Sequence, residues 1–163
     1  MAAVESELFI HPGDWYFGGE HRKVRTLLGS CVALTVWHPR LQIGGMCHYL
    51  LPKPPLVLDK GTLDPRYGIH ALQLLRLAMQ QTGHLSEYQL GCFGGSDMFG
   101  GRIQGRVGEM NIELAVRWLA EHRLALKHQD TGGFVSRSLV LDMKNGQVSL
   151  KRAEPDIQAG SNI

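Results

Sequence analysis

Two side chains in the stretch TLLGSCVALTVWHPRLQIGGMCHYLLP, residues 26–52, have the types expected of a nucleophile and a base. Cys31 follows a Gly-Ser turn at the head of an apolar run, and His48 lies inside the next apolar run. A thiol at such a turn can lie near unpaired backbone N–H groups, which favour the thiolate and can hold an oxyanion. His48 is the natural base, because an imidazole titrates near neutral pH.

Both residues also have an ordinary structural interpretation. A lone cysteine is usually a small buried hydrophobe, and a lone histidine in a strand is more often a satisfied core residue than a catalyst. If the two apolar runs form an antiparallel hairpin, Cys31 and His48 lie on neighbouring strands, where an imidazole can activate a thiol. The spacing alone leaves both interpretations open.

The other two cysteines are interpreted as core residues. Cys47 stands beside His48, but adjacent strand residues point to opposite faces, so the pair is a poor metal site. The sequence has no CxxC or HxxxH spacing that would favour zinc. We therefore predict that Cys47 and Cys92 are buried and that no metal is bound.

Two glycine clusters have open interpretations. FGGSDMFGG, residues 93–101, matches neither a dinucleotide-binding motif nor a phosphate-binding loop. It could supply backbone N–H groups around a site, or it could be a plain turn. DTGG, residues 130–133, is likewise a turn with an optional role.

Short strands are predicted to position Cys31 and His48. The apolar runs at 25–30, 31–37 and 43–51 are punctuated by Gly, Ser and Pro, and residues 38–40 form the turn between two of them. Residues 52–66 have no helical periodicity and form a long loop, of a kind that is often functional.

Helical periodicity predicts two helices. Residues 68–82 form the first, with an apolar stripe of Ile69, Leu72, Leu75 and Met79 before Gly83. Residues 110–122 form the second, with Asn111 as N-cap and a stripe of Ile112, Ala115, Val116 and Leu119.

Four further strands are predicted, at 88–95, 124–129, 134–141 and 147–151, and the KNG segment between the last two is a hairpin turn. Two helices among many strands indicate a layered α/β fold of mixed α+β type.

The bulk properties exclude several classes of protein. A chain of 163 residues suits a single domain, 1–163, with a polar tail at about 153–163. A net charge of +2 argues against nucleic acid as a partner. The N-terminus lacks a secretory signal, and no apolar run approaches the length of about 18 residues that a membrane span needs. We expect a cytoplasmic protein whose thiols are reduced.

Several motifs together resemble the chemoreceptor glutamine deamidase family, CheD. They occur in the family's order over roughly residues 8 to 152. Each piece is weak alone, but LGSCVA followed by GGM-x-H-x-x-LP at this spacing is very specific. The pieces are PGDWYF, TLLGSCVALTVW, GGMCHYLLP, RYG, FGGSDMF, VGEMNIELA, DTGGFVSR and NGQVSLKR.

The resemblance implies a cysteine hydrolase that converts glutamines of methyl-accepting chemotaxis proteins to glutamates and releases ammonia. It implies a sandwich of packed β-sheets with helices outside, similar to toxin deamidases such as cytotoxic necrotizing factor. Cys31 matches the nucleophile and His48 the base, and no cofactor is needed. Candidates for oxyanion binding or pocket lining are Ser30, Gly94, Gly95 and Asn111.

The third catalytic residue of the family is a threonine six residues before the cysteine. Arg25 stands at that position here, and Thr26 stands one residue later, so Thr26 is the candidate. One step along a strand reverses the face, so we expect a bulge near Gly29 to restore the orientation of Thr26. The family's GxRN pattern reads GEMN here, with Met110 in place of arginine and Asn111 retained.

The implied partner is the cytoplasmic helical region of chemoreceptors, and the loop 53–67 could form part of the groove that binds it. The resemblance also implies a possible CheC-type phosphatase partner. Two alternatives stay open: a weakly active or inactive relative that acts as a binding module for a phosphatase or receptor, and a cysteine hydrolase with another target.

Overall fold

The computed structural model describes residues 6–55, 61–98 and 106–154. Over these ranges the chain forms nine strands, two α-helices and a short 3-10 turn at Leu85–Glu87. The strands are β1 (Glu7–Phe9), β2 (Trp15–Gly18), β3 (Lys23–Leu28), β4 (Val32–His38), β5 (Ile43–Tyr49), β6 (Gln89–Gly94), β7 (Leu126–Thr131), β8 (Ser136–Asp142) and β9 (Val148–Ala153). The helices are α1 (Gly68–Gln80) and α2 (Arg106–Glu121).

The strands of this part of the chain form two mixed sheets. The four-stranded sheet has the order β1-β3-β8-β9, and the five-stranded sheet has the order β2-β5-β4-β6-β7. β1 runs parallel to β3 and β6 runs parallel to β7, whereas the other neighbours are antiparallel. The layered mixed fold predicted from the sequence is confirmed.

β4 lies at the centre of three layers, and every one of its residues is buried. Alternate side chains of a strand point to opposite faces. Ala33 and Trp37 therefore pack between the sheets, in a core whose other members include Val24, Leu28, Met46, Leu139 and Leu141. The opposite face of β4 packs against the helices, through Val32, Leu34 and Val36.

The helices cover the five-stranded sheet with a narrower apolar face than the sequence predicts. The side chains of Ile69 and Val116 are 42% and 50% exposed, so these two members of the predicted stripes are wrong. The buried face of α2 instead runs through Gly108, Asn111, Ala115, Trp118 and Leu119, which recur at helical spacing. α1 packs through Ala71, Leu72, Leu75 and Met79.

The start of α2 also differs from the prediction. The helix begins at Arg106, four residues before the predicted start at residue 110, so Asn111 is an interior residue and not the N-cap. Gly108 explains the error, because a glycine in the sequence suggests a loop. In the structure a Cβ on Gly108 would lie 2.4 Å from the Ser96 carbonyl oxygen, so glycine permits close packing of α2 on residues 95–96.

The remaining predictions are largely confirmed. The strands predicted at 25–30, 31–37, 43–51, 88–95, 124–129, 134–141 and 147–151 are present with shifted ends, and β1 and β2 were not predicted. Cys47 and Cys92 are buried in the core beneath the helices. Parts of the loop 52–66, of the segment 93–101 and of the predicted tail lie outside the described residues, at 56–60, 99–105 and 155–163. No helix within the described ranges has the length and apolarity needed to cross a membrane.

Candidate active site

Cys31 lies at the point where the chain passes from one sheet to the other. β3 belongs to the four-stranded sheet and β4 to the five-stranded sheet, and Gly29, Ser30 and Cys31 connect them. Cys31 is partly exposed, in contrast to the buried Cys47 and Cys92. Its side chain packs against the core between the sheets. Of the three thiols, Cys31 is therefore the one placed to meet a substrate.

His48 lies on the strand next to Cys31, as the hairpin prediction requires. β5 pairs antiparallel with β4, and His48 is directly opposite Ala33. Cys31 precedes Ala33 by two residues, so alternation puts Cys31 and His48 on the same face. They are diagonal neighbours, at a separation that long side chains can bridge. Cys47 belongs to the opposite core, so Cys47 and His48 do point to opposite faces.

Thr26 contacts His48 across the two sheets. The Thr26 hydroxyl oxygen is 2.7 Å from His48 Nδ1 and 2.8 Å from the Ile10 carbonyl oxygen. A carbonyl only accepts hydrogen bonds, so the hydroxyl donates its proton to Ile10 and accepts from His48. This fixes the proton of the neutral imidazole on Nδ1. His48 Nε2 is then an unprotonated acceptor, buried and without a partner among the described residues.

The bulge expected near Gly29 is not needed to orient Thr26. β3 pairs with β8 in continuous register from Lys23 to Leu28. The expectation was wrong because it treated Thr26 and Cys31 as residues of one strand, whereas they lie on strands of different sheets. Arg25 points away from His48, to the outer face, where its guanidinium lies 3.5 Å from the Glu7 carboxylate.

Burial favours the neutral forms of both candidate catalytic groups. Desolvation lowers the pKa of His48 to about 4, and the Asp14 carboxylate acts in the opposite direction. Burial likewise raises the pKa of the Cys31 thiol, contrary to the expectation that this turn favours the thiolate. At neutral pH the site therefore holds a thiol and a neutral imidazole.

Three successive carbonyl groups of the turn accept hydrogen bonds from three different partners. The Gly29 oxygen is 3.0 Å from the Ser96 nitrogen, and the Cys31 oxygen is 2.8 Å from the Gly95 nitrogen. Between them, the Ser30 oxygen is 3.1 Å from Asn111 Nδ2. These bonds fix the orientation of the peptide groups on both sides of Cys31.

Gly94 and Gly95 support the turn, and the structure gives them different roles. The Gly95 N–H already binds the Cys31 carbonyl and is not free to bind an oxyanion. Gly94 has a φ of +104°, and a Cβ there would lie 2.2 Å from the Cys31 carbonyl oxygen. Glycine is therefore required at position 94 so that β6 can approach the turn.

Asn111 joins the ends of both strands that carry the candidate pair. Its Nδ2 donates to Ser30 and, at 2.8 Å, to the carbonyl of Leu50, which lies two residues after His48. The backbone carbonyl of Asn111 accepts a 2.6 Å hydrogen bond from the Tyr49 hydroxyl. Asn111 is fully buried, and its neighbour Met110 is 43% exposed.

Sequence reasoning missed Arg137, a buried residue that supports the glycine segment. Its guanidinium donates to Asp130 and Ser96, each at 2.8 Å, and to the Gly132 carbonyl at 2.7 Å. It thereby joins the two glycine clusters, residues 93–101 and 130–133, behind the Cys31 turn. The signal was present, because strand alternation puts Arg137 on the face of Leu139, where an apolar residue is expected.

The fold and these contacts define a protein of two packed mixed sheets, with helices on one face and with Cys31, His48 and Thr26 gathered at the junction of the sheets. A family model described as CheD chemotactic sensory transduction matches residues 50–152. "Probable chemoreceptor glutamine deamidase CheD 3" of Dechloromonas aromatica is 40% identical over 92% of this chain and 91% of its own length.

Two further relatives carry similar names. "Probable chemoreceptor glutamine deamidase CheD" of Pseudomonas syringae pv. tomato is 40% identical over 89% of this chain and 88% of its own length. "Probable chemoreceptor glutamine deamidase CheD 1" of Leptospira interrogans is 32% identical over 91% of this chain and 93% of its own length. The chain belongs to the CheD family.

Proposed function

We propose that this protein hydrolyses side-chain amides of glutamines on chemoreceptors, giving glutamate and ammonia. The observation that carries the proposal is the arrangement of His48. Thr26 holds one ring nitrogen, and the other is an unpartnered acceptor on the strand face that His48 shares with Cys31. The names of the relatives support a receptor glutamine as the substrate.

In the first step the Cys31 sulfur attacks the carboxamide carbon of the glutamine. Because both groups are neutral beforehand, His48 Nε2 takes the thiol proton as the C–S bond forms. The carbonyl oxygen becomes an oxyanion, and the Cys31 N–H is the proposed donor to it. The Nδ1–H of the imidazolium stays bound to Thr26, which keeps the ring in place.

In the second step the C–N bond breaks and a thioester remains. His48 returns its proton from Nε2 to the departing nitrogen, which leaves as ammonia. His48 then removes a proton from water as the water attacks the thioester, and Cys31 departs with that proton. The sum is one amide and one water converted to one carboxylic acid and one ammonia, without a cofactor.

The proposed substrate is a side chain on the cytoplasmic helical region of a receptor, and the protein would therefore act in the cytoplasm. Such a substrate requires a surface beyond the pocket. Leu50 and Leu51 follow the end of β5, and their N–H groups donate hydrogen bonds to the Arg66 carbonyl. Both ends of the loop 53–67 therefore lie close to the end of β5 that carries His48. This loop is the proposed edge of the receptor groove, and a CheC-type phosphatase is a second proposed partner.

Peptide-mapping mass spectrometry of a receptor cytoplasmic fragment tests the proposal. The fragment is incubated with the wild-type protein, with Cys31→Ala, and with Cys92→Ala as the control for loss of a buried thiol. We expect glutamine-to-glutamate conversion at defined sites with wild type and Cys92→Ala, and none with Cys31→Ala. If wild type converts none of several receptors yet binds them or a phosphatase, the protein is a binding module and the proposal is wrong.

A further inference from the structure

The peptide group between Ser30 and Cys31 is held from its carbonyl side. A peptide group is planar and trans, so the Cys31 N–H points opposite to the Ser30 carbonyl. That carbonyl points to Asn111 on α2, at 3.1 Å. The Cys31 N–H is therefore directed away from α2, and its direction depends on whatever holds the carbonyl.

We propose that Asn111 is a positioning residue that orients the Cys31 N–H for binding of the oxyanion. The inference rests on the proposed thioester chemistry and adds the residue that prepares its oxyanion donor. Asn111 does not touch the substrate. It acts through the Ser30–Cys31 peptide group, in the way that supporting residues fix the geometry of an active site.

The hydrogen bonds of Asn111 suit this role because both of its amide protons are used on carbonyls. The Ser30 and Leu50 oxygens can only accept, so the side-chain amide has one allowed orientation. One side chain thereby ties the turn before Cys31 to the strand end after His48.

The turn needs this restraint because of its composition. Gly29 precedes Ser30, and a glycine readily changes its backbone angles. Without the bond from Asn111, rotation of the Ser30–Cys31 peptide group would turn the Cys31 N–H away from the developing charge. Preorganised donors contribute to catalysis because they need no such rearrangement during the reaction.

The test compares Asn111→Ala, and the milder Asn111→Ser, with the matched control Tyr49→Phe. Tyr49→Phe removes the 2.6 Å hydrogen bond from the Tyr49 hydroxyl to the backbone carbonyl of Asn111. It leaves the bond between the Asn111 side chain and the Ser30 carbonyl in place. It therefore reports what loosening α2 does by itself. Melting temperatures of all variants identify any that fail to fold.

Three readouts separate positioning from general damage. The first is kcat and KM for a receptor fragment. The second is the rate at which iodoacetamide alkylates Cys31, a displacement at saturated carbon that forms no oxyanion. The third is the affinity for a peptide in which an aldehyde replaces the glutamine carboxamide. The Cys31 sulfur adds to that aldehyde, and the thiol proton ends on the former carbonyl oxygen.

For both Asn111 variants we expect kcat to fall about 10- to 100-fold, with weaker aldehyde binding and with KM and alkylation rate within about twofold. Tyr49→Phe should stay close to wild type in all three. An unchanged kcat, a parallel fall of alkylation and kcat, or an equal loss in Tyr49→Phe would overturn the role of Asn111.

The aldehyde also separates this inference from the proposed function. If wild type deamidates no receptor, the proposed function is wrong, and aldehyde affinity still decides the role of Asn111. Affinity that depends on Cys31 and weakens in the Asn111 variants supports the role. Equal affinity in wild type and variants, or no binding to either, counts against it.

Discussion

Thr26 and His48 lie 2.7 Å apart, hydroxyl oxygen to Nδ1, although they belong to different sheets. Their strands are not neighbours in either sheet, so packing of one sheet on the other creates the contact. Thr26 also donates to Ile10, so the direction of both hydrogen bonds is fixed. The contact thus sets both the ring orientation and the tautomer of His48.

Thr26→Val should reduce kcat about 10- to 100-fold, because valine keeps the shape of threonine but cannot hold His48 Nδ1. It also leaves the Ile10 carbonyl without its partner, so we expect a loss of about 1–3 kcal/mol in the free energy of unfolding. Thr26→Ser keeps the hydroxyl and should retain most of the activity. Steady-state ammonia release and urea denaturation measure both effects, and full activity of Thr26→Val would contradict the role of Thr26.

Arg25→Ala should change kcat by less than about twofold, as is usual for a surface substitution. Arg25 stands where the family pattern has its threonine, but its side chain lies on the outer face beside Glu7. The same ammonia assay applies, with Thr26→Val as the comparison. A loss as large as that of Thr26→Val would mean that Arg25, and not Thr26, supports His48.

His48 should make the protein less stable as the pH falls from 6.5 to about 4, because its pKa is about 4 when folded against 6.5 when unfolded. In that window the unfolded chain binds a proton that the folded protein does not, so stability rises with pH. The full loss below pH 4 is about 3 kcal/mol.

Urea denaturation of wild type and His48→Gln at several pH values isolates this contribution. His11 and Asp14, the charged groups that act on His48, are present in both proteins and cancel in the difference. The stability advantage of wild type over the variant should shrink as the pH falls. An advantage that stays constant between pH 7 and pH 4 would mean that His48 titrates normally.

Alkylation of Cys31 by iodoacetamide should become faster through pH 9 and above, because burial raises the pKa of this thiol from 9.0. A preformed thiolate–imidazolium pair would instead give a fast, pH-independent rate at acid pH. Cys31→Ala reports background reaction of the buried Cys47 and Cys92. A plateau below pH 6 that disappears in Cys31→Ala would reveal an ion pair.

Gly94→Ala should remove most of the activity, because its Cβ would lie 2.2 Å from the Cys31 carbonyl oxygen and displace the turn. The control is Gly132→Ala, where φ is also positive but nothing lies within 4 Å of the new Cβ. Both variants have the strain of a positive φ, so their difference reports the steric contact alone. Equal activities in the ammonia assay would mean that the turn tolerates the displacement.

The sequence predicts the pairing of Cys31 with His48 because that pairing is local. The short turn between His38 and Ile43 joins two apolar runs, and the antiparallel register then determines the neighbours. The place of Thr26 could not be predicted in this way, since it depends on β3 pairing with β8, far along the chain. The alternation of side chains along one strand does not determine the relative orientation of two residues, Thr26 and Cys31, that belong to different sheets.

The family resemblance made Asn111 a candidate for the pocket, but its contacts could not be predicted from the sequence. An asparagine at a predicted helix start is typical of an N-cap, and only the close approach that Gly108 allows places Asn111 inside the helix beside the turn. Arg137 was overlooked although its position in the alternating pattern was informative. In both cases a polar residue on an inward face binds backbone carbonyls that belong to distant segments.

The pairing of β3 with β8 has a consequence for synthesis of the protein. Cys31 and His48 leave the ribosome early, and β4 and β5 can pair at once. β3 has only the three-residue β1 as an early partner, which is too short to hold it, and Ser136–Asp142 is translated much later. We therefore expect the Thr26 hydroxyl to reach His48 only when β8 has emerged, so that a nascent chain carries Cys31 before the ring of His48 is oriented.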